Sequence, residues 1–284
     1  LFRLGEYVAD HGIEGEGAYK SARDLLLRLP PDVSGELFRN EGEDTLSAAL
    51  RLSSMLIGGV LPVQGPPGTG KSYTGARMIC AFVSQGKKVG ITANSHKVIR
   101  NLIDKVNEAS EEMGIALHCV QKPGIMEPDQ DQLSFVKNNG DVINALSRGV
   151  AQVAGATHFF WSREEAFESV DVLVVDEAAQ MALANVLAVG QAAPVLILLG
   201  DPQQLEQPSQ GSHPDGTGVS SLDHILGGHP IIPEDKGLFL EHTWRLHPDI
   251  CDFTSELFYE GKLSSIAGCE LQQIRSQGLF SGSG

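Results

Sequence analysis

Apolar positions along the chain switch between two periods. Val60–Val63, Val89–Thr92, Ala116–Val120, Gln152–Gly155, Val170–Val175 and Val195–Leu199 are short, apolar-rich runs. They are too short for helices and lack polar alternation, which predicts strands buried on both faces. Between them the apolar residues fall at helical spacing. Ala76, Ile79, Cys80 and Val83 mark a helix over Ser72–Ser84 that Gly86 can close. Further helices are predicted over Thr45–Leu56 and from about Lys97 to Asn107, and Asp141 can cap another ending near Gly149. Such alternation predicts an α/β fold, a mostly parallel sheet with helices on both faces.

The flanks read differently. Residues 1–40 are helix-like and charged, broken by Pro30-Pro31, and read as a lead-in. Glu206–Ser220, rich in Gly, Pro, Ser and Gln, reads as a long exposed loop. Past Pro233 a new strand–helix unit is expected to open at Leu238–Leu240, with too little chain left to finish a second domain. The expected division is a lead-in over 1–40, one domain over 41–235 and the start of another over 236–284. The chain begins at Leu1 and stops at Ser281–Gly284, as a piece of a longer protein would.

Chemistry enters at the turn after the first strand. Gly65-Pro66-Pro67-Gly68-Thr69-Gly70-Lys71-Ser72 matches GxxxxGK[ST] between a predicted strand and a predicted helix. Its glycines let backbone N–H groups curl around phosphate at a helix N-terminus. In this P-loop Lys71 would reach the β- and γ-phosphates, and the Ser72 hydroxyl would ligate Mg2+. Leu173–Glu177 ends an apolar strand in two carboxylates. Asp176 is expected to hold Mg2+ and Glu177 to orient and deprotonate the attacking water. ATP and Mg2+ are the cofactors this pattern calls for. A third strand ends in Gly200-Asp201-Pro202-Gln203-Gln204, where Gln203 is a candidate γ-phosphate sensor. The alternative is an Asp-Pro turn with solvent-facing glutamines.

Composition narrows the partners. Of 284 residues, 36 are acidic and 21 basic, a net charge of −15. That argues against a generic basic nucleic-acid binder but leaves room for a narrow basic track. The four cysteines form no CxxC pair, which fits a reducing cytoplasm. Cys80 and Cys119 read as core fillers. His213, His242 and His247 lack metal-ligand spacing. No apolar run is long enough to span a bilayer, and the N-terminus lacks signal-peptide order, so no membrane is expected. Phe159-Phe160-Trp161 could stack on bases, with packing against a helix the favoured alternative. Glu111-Glu112 and Glu164-Glu165 read as solvated faces.

Taken together, Gln64–Ser72 (QGPPGTGKS), Ile91–His96 (ITANSH), Asp176–Gln180 (DEAAQ), Gly200–Leu205 (GDPQQL), Trp244–Pro248 (WRLHP) and Phe258–Leu263 (FYEGKL) resemble superfamily 1B helicases. This 5'→3' group includes the nonsense-mediated decay helicase and related replication helicase-nucleases. The motifs follow the family's order over about residues 46–263. The resemblance implies a RecA-like P-loop NTPase fold and adds Gln64 to the nucleotide site. It places Asn94, Ser95, His96 and Thr157 against a single nucleic-acid strand. Small polar groups at strand ends can donate to phosphate without adding charge. Asn94 and Ser95 could equally cap the helix that follows. The resemblance also makes Arg245 an arginine finger reaching the γ-phosphate, with a surface pair to Glu241 or Asp249 as the alternative. The family's adenine-reading Gln has no counterpart in Thr45–Leu50.

The implied activity is ATP-driven movement on single-stranded DNA or RNA. The implied partners are that strand, a missing second RecA-like domain and, by likeness to bacterial helicases fused behind a RecB-like nuclease, a nuclease domain. Two other readings stay open. One is a P-loop ATPase that remodels protein; the other is a nucleotide-binding fragment with negligible turnover.

Overall fold

In the computed structural model, which describes residues 1–34, 39–204 and 218–272, the predicted strands gather into one sheet. Its strands are β1 (Asp32–Val33), β2 (Leu56–Gln64), β3 (Val89–Thr92), β4 (Cys119–Gln121), β5 (Leu133–Phe135), β6 (Val153–Gly155), β7 (Val172–Val175), β8 (Val195–Gly200) and β9 (Leu238–Phe239). The order is β1-β2-β8-β7-β3-β6-β4-β5, with β9 also paired to β2. All pairings are parallel except β1 on β2.

Side-chain alternation along the central strands explains the layers. Leu173 and Val175 of β7, with Leu196 and Leu198 of β8, belong to one buried cluster. Val172, Val174, Val195, Ile197 and Leu199 belong to the other. Two apolar faces need two helical covers, and each fully buried Leu, Ile or Val contributes roughly 1.5–3 kcal/mol. The second face is covered by α3 (Thr45–Met55), α4 (Lys71–Ser84) and α5 (His96–Met113). On α5, Ile99, Leu102, Ile103 and Val106 form the buried stripe, and Gly114 closes the helix at φ 65°. The first face is covered by α1 (Phe2–His11), α2 (Lys20–Leu27), α6 (Asn139–Ser147), α7 (His158–Trp161), α8 (Leu183–Val189) and α9 (Ser221–Leu226). After the sheet, β10 (His242–Thr243) pairs with β11 (Ser264–Ser265) around α10 (Pro248–Phe258). No helix among the described residues is long and apolar enough to cross a membrane.

Several boundaries differ from expectation. The first strand is nine residues long and begins at Leu56, because its outer half pairs with β1. The helix begun at His96 runs on to Met113. The helix near Gly149 starts at Asn139 after Asn138, so Asp141 lies in its first turn instead of capping it. The short β5 and α9 escaped the pattern altogether.

Residues 1–34 are packed into the sheet's layers. Ala22 and Leu25 of α2 are fully buried, and Ser21 Oγ donates to the carbonyls of Gly190 (3.0 Å) and Ala193 (2.7 Å). The strand expected to open a new unit, Leu238–Phe239, pairs with Val63–Gln64 in the main sheet. Most of the Glu206–Ser220 loop, His213 and the Ser281–Gly284 tail lie outside the described residues.

Candidate functional site

The P-loop runs from the C-terminal end of β2 into α4. Gly68 and Gly70 hold φ of 78° and 82°, the left-handed region that favours glycine. At Gly68 space is also short: a Cβ there would lie 2.3 Å from Arg245 Cβ. Two internal bonds fix the turn. Thr69 Oγ1 donates to the Pro66 carbonyl at 2.7 Å, and Lys71 Nζ to the Gly65 carbonyl at 2.7 Å. The loop is tied to its neighbours as well. Gly65 N donates to the Gly200 carbonyl at 2.9 Å. From the other side Thr243 Oγ1 donates to the Pro67 carbonyl (2.9 Å) and Trp244 N to the Gly68 carbonyl (2.9 Å). Exposed Arg245 is thereby held against the loop. Ser72 opens the helix half-buried beside Lys71.

Asp176 and Glu177 follow β7. Asp176 is 4% exposed. Burial pushes its carboxyl up to about 7, the adjacent Glu177 adds to this, and Lys71 opposes it. Glu177 sits at φ 52°, a strained value for a side chain of its size, while its N–H donates to Asp176 Oδ1 at 2.9 Å. The Asp176 N–H takes the Thr92 carbonyl, and the buried Thr92 hydroxyl has no partner. A buried carboxylate with a half-buried one beside it, facing one lysine next to the glycine loop, suits a divalent cation bound to polyphosphate.

Two expected contacts point elsewhere. Gln64 is fully buried. Its Nε2 donates to the Pro230 carbonyl (3.1 Å) and towards Asp201 Oδ1 (3.5 Å), and its Oε1 accepts from Ile232 N (2.8 Å). All of these bonds are to protein groups around Asp201, Pro230 and Ile232. Gln203 is exposed, and its amide donates to the Pro230 carbonyl at 3.3 Å. Between them lies Asp201, 1% exposed, which accepts from Gln203 N (3.2 Å), Gln204 Nε2 (3.3 Å) and the Tyr259 hydroxyl (2.8 Å).

The strand-contacting candidates divide. His96 and Thr157 line a common cleft of about 230 Å³ with Lys122, Phe159 and Arg163. His96 Nδ1 is buried there without a hydrogen-bond partner. Burial, with help from Lys122, holds the His96 imidazole below its ordinary pKa. Ser95 caps α5, accepting from Val98 N at 3.2 Å. Asn94 Nδ2 donates to the Gln180 carbonyl at 2.7 Å, bracing the segment after Glu177. For these two the capping and bracing roles are the ones visible.

A family model described as an AAA domain matches residues 51–216, more than half of the sequence. The chain belongs to the AAA domain family. Several of its relatives bear helicase names, in keeping with the superfamily 1 motifs. It is 24% identical over 247 residues to the DNA polymerase alpha-associated DNA helicase A of Schizosaccharomyces pombe, covering 71% of this chain and 36% of that protein. The DNA replication ATP-dependent helicase/nuclease dna2 of the same yeast is 24% identical over 260 residues, covering 85% and 18%. The mouse 5'-3' DNA helicase ZGRF1 is 38% identical over 94 residues, covering 32% and 5%. The chain therefore spans about a third or less of these relatives.

In this AAA domain the polar residues that matter stand just past the C-terminal ends of parallel strands: Asn94 after β3, Lys122 after β4, Thr157 close after β6, Asp176 after β7 and Asp201 after β8. Ligands of open α/β sheets bind along that edge. Lys122, Arg163 and Asp201 escaped the sequence reading, yet Lys122 and Asp201 could have been found by this rule alone. Arg163 carries no such signal.

Proposed function

We propose that the chain is the ATP-binding motor lobe of a superfamily 1B helicase or translocase that moves on single-stranded nucleic acid. The observation that carries this reading is buried Asp176, with half-buried Glu177 beside it, set against a strapped P-loop. The backbone of Gly65, Pro66, Pro67, Gly68, Thr69 and Gly70 curls around the phosphates, and Lys71 leaves the Gly65 carbonyl to meet them. Ser72 and Asp176 would hold magnesium. When bound, magnesium neutralises charge on the phosphate oxygens. Glu177 orients the attacking water and takes its proton, and Arg245 stabilises charge developing on the γ-phosphate. Gln203 reports hydrolysis once it releases Pro230.

The strand crosses the sheet's C-terminal edge at the cleft of His96 and Thr157. Lys122 and Arg163 supply the narrow cationic track that the acidic whole lacks, and Phe159 supplies a face for stacking. The named relatives are DNA helicases, which supports DNA as the strand, and ZGRF1 supports 5'→3' movement. A second RecA-like lobe, begun after β9, closes on the nucleotide, and likeness to dna2 supports a nuclease domain in the parent protein.

The test is ATP hydrolysis with and without single-stranded oligonucleotide, together with strand binding by anisotropy. Stimulation by the strand, and weaker binding in Lys122→Ala and Arg163→Ala, is the expected result. ATP hydrolysis with no strand binding and no stimulation would favour a protein-remodelling ATPase.

A further inference from the structure

One hydroxyl stands between the P-loop and Arg245. Thr243, the last residue of β10, is fully buried. Its Oγ1 donates to the Pro67 carbonyl at 2.9 Å and accepts from the Arg245 backbone N–H at 3.2 Å. A hydroxyl has one proton to give, and here it goes to the loop, leaving a lone pair for Arg245. Gly68 fits into the same corner. A Cβ there would lie 2.3 Å from Arg245 Cβ and 2.8 Å from Thr243 Oγ1.

The backbone around Thr243 is held independently of that hydroxyl. β10 pairs with β11, Ile266 N donates to the Thr243 carbonyl at 3.1 Å, and Trp244 N donates to the Gly68 carbonyl at 2.9 Å. Removing the hydroxyl therefore leaves the segment on the loop and loosens only the step from Thr243 to Arg245. The loop also keeps its bonds from Thr69 to Pro66 and from Gly65 to Gly200. The Arg245 guanidinium makes no ion pair among the described residues. Glu241 is paired with Arg39, and Asp249 lies beside His247. The aim of this exposed side chain is thus set at its root.

We propose that Thr243 is the positioning residue for Arg245: its hydroxyl fixes the register between the phosphate loop and the guanidinium that meets the γ-phosphate. The inference rests on Arg245 acting as the arginine finger. Phosphates are held by loop N–H groups, so the hydroxyl acts on turnover and leaves nucleotide affinity alone. Misplacing a reacting group by about 1 Å can cost about 10²-fold in rate.

Single-turnover hydrolysis of Mg-ATP by the 284-residue chain, with calorimetry of Mg-ADP binding, tests this. Thr243→Val keeps the shape but can neither donate nor accept. It should slow hydrolysis about tenfold and hold the ADP dissociation constant within about threefold. Thr243→Ser restores the hydroxyl and should return the rate to within about threefold of the unmodified chain. Arg245→Ala should slow hydrolysis by about 10²-fold or more. Adding Thr243→Val to it should change the rate by less than about twofold, because no guanidinium is left to misplace. An unchanged rate in Thr243→Val, no recovery with serine, or a further tenfold loss in the double variant overturns the inference. ADP affinity lost along with the rate also overturns it, since the hydroxyl would then serve the phosphate cradle. If Arg245→Ala hydrolyses at the full rate, or the unmodified chain binds Mg-ADP and hydrolyses nothing, the finger reading itself fails. The role of Thr243 then falls with it, while the P-loop reading stands on nucleotide binding.

Discussion

The Tyr259 hydroxyl donates to Asp201 Oδ2 at 2.8 Å, joining the residue after α10 to the residue after β8 across 58 positions of sequence. Burial, reinforced by the Asp201 carboxylate, pushes the phenol upward, so it stays a donor throughout the neutral range. Tyr259→Phe removes one donor from a carboxylate that is 1% exposed. The expected cost is about 1–3 kcal/mol of stability, read from urea midpoints. An unchanged midpoint would mean that water replaces the phenol.

Asp176 gives stability a pH dependence of unusual sign. Its folded carboxyl stands at about 7, above the ordinary 3.8, so the folded state binds the extra proton between those values. Without nucleotide, stability should fall as pH rises from about 4 to about 7 on this account. Asp176→Asn should remove the dependence and stabilise the nucleotide-free protein at pH 8, by on the order of a few kcal/mol. Denaturation of both proteins at pH 5 and pH 8 decides the matter. Equal pH slopes would refute it.

Glu177→Gln keeps the size and the left-handed backbone but loses the base. Nucleotide affinity should hold within a few-fold while hydrolysis drops by about 10²–10⁴. Calorimetry and phosphate release on one preparation separate the two effects. Loss of binding would make Glu177 a structural residue.

Neighbours in the Phe159-Phe160-Trp161 run should behave as opposites. Phe159 is 72% exposed beside the cleft of His96 and Thr157, whereas Trp161 is fully buried and its Nε1 donates to the carbonyls of Ile91 (3.1 Å) and Ala156 (3.0 Å). Phe159→Ala should weaken single-strand binding by about 1–3 kcal/mol with little change in stability. Trp161→Ala should cost about 3–5 kcal/mol of stability. Anisotropy and thermal melts on both variants test the pair.

What could be read in advance depended on range. Val172–Val175 and Val195–Gly200 announce themselves because both faces of each are apolar, and Lys71 because its motif is local. Gln64 has hydrogen-bond partners that could not be read from its neighbours. It precedes the glycine loop, but it is the last residue of β2, and its side chain turns to Asp201, Pro230 and Ile232. No nearby residue signals those partners. The pairing of Leu238–Phe239 is equally remote, since its partners, Val63 and Gln64, stand about 175 residues earlier. The cleft shared by His96, Lys122 and Thr157 likewise exists only once three loops meet at one sheet edge.

Pro67 and Gly68 give their carbonyls to Thr243 and Trp244, so the segment that leaves the sheet is stitched to the phosphate loop before it goes further. Mechanically this is a short tether. Tension on the chain beyond Arg245 arrives at Gly68 through one hydrogen bond and one side-chain contact, with no flexible linker to absorb it. A shift of the loop at Gly68 would therefore carry the Thr243–Arg245 segment with it.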